Sequence, residues 1–166
     1  MTASSQRIAL LDALPESAVA VGVPAADWRA AITASGELLV ASGATTDAYT
    51  AEMIETVERL GPYIVLAPGL ALAHSRPSPS VLRTGLSWAA LATPVPFGHE
   101  ANDPVRLVIG LAAVDHDAHS GALAKLARML ADADRMRALR DASSAAEVRR
   151  LIAEYEASQA PPSRDT

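Results

Sequence analysis

Two histidines stand where this chain would leave a buried sheet. His74 follows the apolar run LALA and precedes Ser75 and Arg76, and His119 lies just beyond the longest apolar run, residues 105–114. An imidazole uncharged near neutral pH is a nucleophile that can take a phosphoryl group on a ring nitrogen. A guanidinium two residues on, that of Arg76, could hold two phosphoryl oxygens in a fork. His119 begins a stretch with helical spacing, so its ring would stand beside amides that a first helical turn leaves unpaired, a favourable place for an anion. Phosphoryl transfer asks for little beyond such positioning and charge stabilisation. Each residue also has a plainer reading, His74 as a boundary histidine and His119 as a helix-start residue beside Asp115 or Asp117. The string AHSR is by itself a weak motif.

Other chemistry finds less support. His99 falls in the loop-rich stretch TPVPFGHEANDP and His116 between two aspartates, and neither is assigned a catalytic part. Asp115, His116, Asp117 and His119 could be assembled into a metal set. Their spacing is not HExxH, however, and acidic residues before a helix ordinarily cap it, so no metal is expected. Neither Ser75 nor Ser87 lies in a GxSxG elbow. The glycines form neither GxxxxGKS nor GxGxxG, which argues against ATP or NAD held by those loops, and no cofactor is called for. The chain has no cysteine, which rules out a disulfide, a zinc–thiolate site or a cysteine nucleophile within it.

The elements that must position these histidines follow from hydrophobic period and breakers. Residues 7–14 read as a short helix and 19–23 as a strand. Pro24 could open the next helix, with Trp28, Ala31 and Ile32 on one face. A break at Gly43 precedes a helix over 47–60, with Tyr49, Met53, Val57 and Leu60 on one side and Gly61-Pro62 as its stop. Short strands are expected at 63–66 and 70–73, which puts His74 at a strand end. The runs 86–92 and 105–114 have the continuous apolar character of central strands covered on both faces. The segment DHDAHSGALAKLARML turns helical, with Leu123, Leu126, Ala127 and Leu130 repeating at three and four. Helices near 132–140 and 145–157 close the chain, the second begun by Ser144 and Glu147 at capping-box spacing. Helices before, between and after a few buried strands predict an α/β domain, a small mixed sheet covered by helices. One domain over 1–157 and a flexible tail over 158–166 are expected, with no internal repeat.

Composition is consistent with this outline. With 166 residues, half of them hydrophobic and 20% charged, the chain can build one core and does not resemble a disordered segment. Only 4% are aromatic, so packing should depend on close approach of small residues. The net charge of −5 and a pI near 5.3 argue against a broad nucleic-acid footprint. The N-terminus lacks a convincing secretory segment, and no apolar run reaches the roughly 18 residues of a membrane span, so the cytoplasm is the expected location.

Taken together, the stretches YTAEMIETVERLGPYIVLAPGLALAHSRPS, VLRTGLSWAALATPVPFG and NDPVRLVIGLAAVDHDAHSGALAKLARML resemble the IIA component of the sugar phosphotransferase system. The likeness is to the mannitol/fructose-type superfamily, in its ascorbate-like branch, and residues 8–39 are consistent with the family's N-terminal part. The resemblance implies a three-layer fold and a residue-by-residue assignment. His74 would accept phosphate from the phosphorylated carrier HPr, usually through Nε2, and donate it to a cysteine of a cognate IIB protein. His119 would lie beside it and orient the phosphoryl group, with Arg76 added as an electrostatic partner. A IIC membrane permease would then translocate the substrate that receives the phosphate from IIB, with ascorbate or a related pentose or sugar acid as cargo. The absence of cysteine suits a free IIA polypeptide, whose next acceptor is elsewhere. One departure is Ala73, where the family commonly has proline. The alternative is a regulatory interaction domain with the same fold, and a metal-dependent hydrolase ranks far behind. Alanine-rich helix faces could support a homodimer.

Overall fold

The computed structural model describes residues 9–159. Its elements are α1 (Leu10–Ala13), β1 (Val19–Val23), α2 (Trp28–Ala41), α3 (Asp47–Leu60), β2 (Val65–Ala67), β3 (Leu70–His74), β4 (Gly85–Val95), β5 (Val105–Ala112), α4 (His116–Leu130), α5 (Ala133–Asp141) and α6 (Ala145–Gln159). The strands form one mixed five-stranded sheet in the order β1-β4-β5-β3-β2. β1 runs parallel to β4 and β3 parallel to β5, while β4–β5 and β2–β3 are antiparallel. The two continuous apolar runs are thus two of the three inner strands, covered on both faces as their composition requires.

The two faces of the sheet differ in side-chain size, and this sets the three layers. Leu70, Leu72, Leu86, Trp88, Ile109 and Leu111 point to one side, where they meet α1, α4 and α6. Ala71, Ala73, Ala89, Val108 and Ala112 point to the other, where α2 and α3 pack. Small residues let α2 come close. Its Ser35 hydroxyl reaches Ser87 of β4 at 3.0 Å in the core, and a Cβ added at Gly110 of β5 would overlap both hydroxyls.

Local signals account for most boundaries, and several differ from the sequence-based expectation. Pro24 does not open α2, because Asp27 caps it, accepting from the Ala30 amide at 2.9 Å. Gly61, at φ +89°, ends α3 as expected. Leu60 is 61% exposed, so the buried stripe of α3 is Tyr49, Met53, Thr56 and Val57. In α4 the buried positions are Ala122, Leu126 and Met129, while Ala127 faces out. Strand β2 lies two residues later than expected at its start, since residues 62–64 are taken up by the turn from α3. Strand β4 continues to Val95 through an irregular register after Ala90. At the start of α6, Ser144 Oγ accepts from the Glu147 amide and the Glu147 carboxylate accepts from the Ser143 amide, so the box closes one residue further back. Helix α6 runs through Gln159. Residues 7 and 8 and the rest of the expected tail fall outside the described residues.

Candidate active site

His74 is the last residue of β3 and pairs in register with Leu111 of the parallel neighbour β5. Adjacent parallel strands leave a sheet on the same edge, so the segment after β5 arrives beside His74. That segment is α4, capped by Asp115, whose carboxylate accepts from the Ala118 amide at 2.8 Å. The helix begins at His116, which moves His119 one turn inside it: its amide already bonds the Asp115 carbonyl at 3.0 Å. His119 is therefore not the first helical residue that its sequence position suggests. Its side chain nonetheless points back over the preceding turn, as helical side chains do. The two imidazole rings stand 5.6 Å apart, centroid to centroid.

The His74 ring is fixed on two sides. Its Nδ1 lies 2.8 Å from the Leu72 carbonyl oxygen. A carbonyl can only accept, so Nδ1 carries the hydrogen, and in the neutral ring the free lone pair is on Nε2. Tyr63 packs edge-on against the same ring at 5.6 Å. The rings of His74 and His119 line a cavity of about 280 Å³ with His116, Tyr63, Arg59 and Arg76. Both guanidiniums are exposed and form no ion pair among the described residues. The proton affinity of His119 lies below the ordinary imidazole value, first because the ring is partly buried and then because His74 and His116 would place like charges beside it. Burial pushes the Tyr63 hydroxyl up, against an opposing effect of Arg59.

Helix α3 grips the chain as it leaves β3. The Tyr49 hydroxyl accepts from the Ser75 amide at 2.9 Å and donates to the Leu111 carbonyl at 2.8 Å. It thereby ties the exit of β3 to the exit of β5. Glu52 accepts from Ser78 at 2.7 Å and from Ser80 at 2.6 Å, and Thr56 meets Ser75 at 3.1 Å. The anchoring of His74 thus comes from strand pairing before it and from α3 after it. Ala73 is buried and paired with Gly110 inside the sheet, so the backbone there is held without a proline.

The structure brings His74, His119 and Arg76 together and adds His116, to which its sequence position between two aspartates assigned no part. His99 is placed far along the fold, in the β4–β5 hairpin loop, where its Nδ1 accepts from the amides of Ala101 and Asn102. Asp115 is occupied as a helix cap. Among the described residues no group of three or more histidines and carboxylates is arranged to hold a metal ion. Arg59, Tyr63, Tyr49 and Thr56 are not site residues that the sequence pattern singles out. Arg59, in the last turn of α3, and Tyr63, in the turn that follows, flank the Gly61-Pro62 stop, and both line the cavity beside His74.

The sequence model of the family described as "Phosphoenolpyruvate-dependent sugar phosphotransferase system, EIIA 2" matches residues 12–155. The chain belongs to this family. It is therefore an EIIA phosphotransferase component, and its relatives agree. The ascorbate-specific PTS system EIIA component of Salmonella choleraesuis (strain SC-B67) is 38% identical over 138 residues, covering 80% of this chain and 90% of the relative. The solution structure of the mannitol-specific cryptic phosphotransferase enzyme IIA CmtB from Escherichia coli is 34% identical with a TM-score of 0.79, covering 89% of this chain and 99% of that one. Enzyme IIAMTL, in its complex with phosphorylated enzyme IIBMTL from Escherichia coli, is 31% identical with a TM-score of 0.73 and covers 83% and 95%. Among the described residues of this EIIA chain, no helix is long and apolar enough to cross a membrane.

Proposed function

We propose that His74 is the phosphoryl acceptor of this EIIA chain, through Nε2, and that it relays the group from phospho-HPr to a cysteine of a cognate IIB protein. The observation that carries this reading is the Nδ1 contact to the Leu72 carbonyl, which leaves Nε2 as the lone pair of the neutral ring. That lone pair attacks phosphorus on the carrier's phosphohistidine. The new Nε2–P bond forms as the carrier's N–P bond breaks, and the electron pair returns to the carrier nitrogen. His74 Nδ1 keeps its proton, donated to the Leu72 carbonyl, throughout. In the second half-reaction a IIB thiolate attacks phosphorus, an S–P bond forms, and the Nε2–P electron pair returns to His74.

His119 in this scheme holds a phosphoryl oxygen, and Arg76 and Arg59 bring positive charge to the same cavity. The cavity rim carries exposed apolar side chains, Leu60 at 61% and Tyr63 at 42%, next to those two arginines. Such a mixed apolar and charged rim suits brief encounters with two successive partners. The reading puts the chain in the cytoplasm, coupled through IIB to a IIC permease. The names of the curated relatives favour ascorbate or a related sugar acid as the cargo, a choice made in IIB and IIC rather than at His74.

The test is transfer of labelled phosphate from phospho-HPr, generated with enzyme I and phosphoenolpyruvate, to the wild type and to His74→Ala and His119→Ala. Acid-labile label on the wild type, none on folded His74→Ala and slowed transfer by His119→Ala are expected. Equal labelling of His74→Ala and wild type would remove the acceptor assignment.

A further inference from the structure

The second half of the sheet face that carries Trp88 is not fully roofed. Helix α5 packs mainly on α4 and α6, and beneath it a cavity of about 410 Å³ remains against Leu70, Trp88, Ala90 and Leu107. This lies at the opposite end of the strands from His74: Leu70 begins β3 and Leu107 is near the start of β5, whereas His74 ends β3. We propose that this cavity is a second binding site, for a small organic anion with an apolar body, separate from the phosphoryl site and independent of the reading given to His74.

Its volume falls within the roughly 300–1,000 Å³ typical of ligand pockets, and its walls are of the same kind, apolar with a few polar groups. Met136 and Leu139 of α5 close one side. Trp88 is only 1% exposed. It lines the cavity, and its indole N–H makes no hydrogen bond among the described residues. It is a donor waiting for an acceptor. The charged groups at the mouth are Arg106, Arg140 and Asp103. The Asp103 carboxylate is already taken by the amides of Phe97, Gly98 and His99, at 2.7–3.1 Å. Neither guanidinium has a hydrogen bond or ion pair among the described residues. The Arg106 stem lies beside Gly69, within 4.0 Å of where a Cβ would stand. An apolar body on the leucines and Trp88, with a carboxylate or phosphate between the two guanidiniums, satisfies every free group named here.

The chain has two tryptophans, so Trp28→Phe leaves Trp88 as the sole indole reporter in an otherwise intact protein. The probe is 1-anilinonaphthalene-8-sulfonate. The expected result is saturable quenching of Trp88 emission, weakened about tenfold by Arg106→Ala with Arg140→Ala, and lost in Ala90→Phe, which fills the cavity without adding an indole. Circular dichroism and melting should be the same in all of these proteins. Displacement by hexanoate or by phenyl phosphate tells a carboxylate ligand from a phosphate one. Quenching that does not saturate, or that survives both the arginine and the cavity-filling variants, overturns the site. Displacement by 1-hexanol as readily as by the anions overturns the anionic assignment. Phosphate transfer to His74 is read separately on the same proteins, so failure of one proposal leaves the other standing.

Discussion

Replacing Tyr49 by phenylalanine removes a single oxygen from the point where α3 ties the two strand exits together. The ring still fills its space, so no cavity opens, and the change isolates the hydroxyl's contacts: it accepts from the Ser75 amide at 2.9 Å and shares its one proton between the Leu111 carbonyl at 2.8 Å and, at a longer 3.2 Å, the Ser75 carbonyl. At about 1 kcal/mol net for each, with an additional cost for the Ser75 amide left without its partner, the loss should be about 2 to 3 kcal/mol. For a domain of this size that corresponds to a melting temperature lower by about 5 to 10 °C. An alkaline signature accompanies it. Burial is the main cause that pushes the Tyr49 hydroxyl from 10.0 up to about 12. The folded state therefore binds this proton more tightly than the unfolded state. Stability linked to it is complete below the unfolded value and is lost as pH rises from about 10 to about 12, to a total of about 2 to 3 kcal/mol. Tyr63 also titrates high, but it is present in both proteins, so the difference between wild type and Tyr49→Phe reports Tyr49 alone. The assay is urea unfolding at neutral pH and along the alkaline limb, with phosphate transfer to His74 measured in parallel. The variant should be less stable at neutral pH, show a shallower alkaline limb, and transfer phosphate more slowly at an unchanged donor KM. Coincident unfolding midpoints at neutral pH and parallel alkaline limbs would refute the reasoning.

Three further outcomes rest on the same geometry. A phosphoryl group on His74 places negative charge beside His119, opposing the partial burial and the like charges that hold its proton affinity down; its NMR titration midpoint should rise on phosphorylation, and no movement would separate His119 from the phosphoryl group. In the unphosphorylated protein His119 binds its proton less tightly folded than unfolded, so its contribution to stability is present above the ordinary imidazole value near 6.5 and is lost as pH falls below it, a slope that His119→Gln should remove from acid unfolding curves. Gly110→Ala would drive a methyl group into the Ser35 and Ser87 hydroxyls and should cost about 1 to 3 kcal/mol in denaturant unfolding, whereas Gly43→Ala acts only through its φ of +84° with open space around it.

Several parts of this protein were written in short-range pattern. The inner strands β4 and β5 were legible because a strand covered on both faces must be apolar throughout, and α3 because a 3.6-residue stripe ends at Gly61-Pro62. His74 at a strand end and His119 soon after the longest apolar run followed from those boundaries, and the family resemblance supplied their pairing. Where single residues compete for the same role, the local signal misled: Pro24 and Asp27 could each begin α2, and the side-chain oxygen of Asp27 is what satisfies an orphan amide. Leu60 has the period of the α3 stripe, yet it is the last residue of the helix and is exposed. The tautomer of His74, the bridge made by Tyr49 and the arrival of Arg59 and Tyr63 at the cavity depend on groups brought together from β3, β5, α3 and α4. So does the space under α5, which exists because a helix held by α4 and α6 does not reach down to Trp88 and Leu107. Periodicity determines which side of an element is buried, because burial is a one-dimensional alternation along the chain. Which polar atoms then face one another is decided only when separate elements pack, because hydrogen bonds and cavities are set by distances of a fraction of an ångström between residues far apart in sequence.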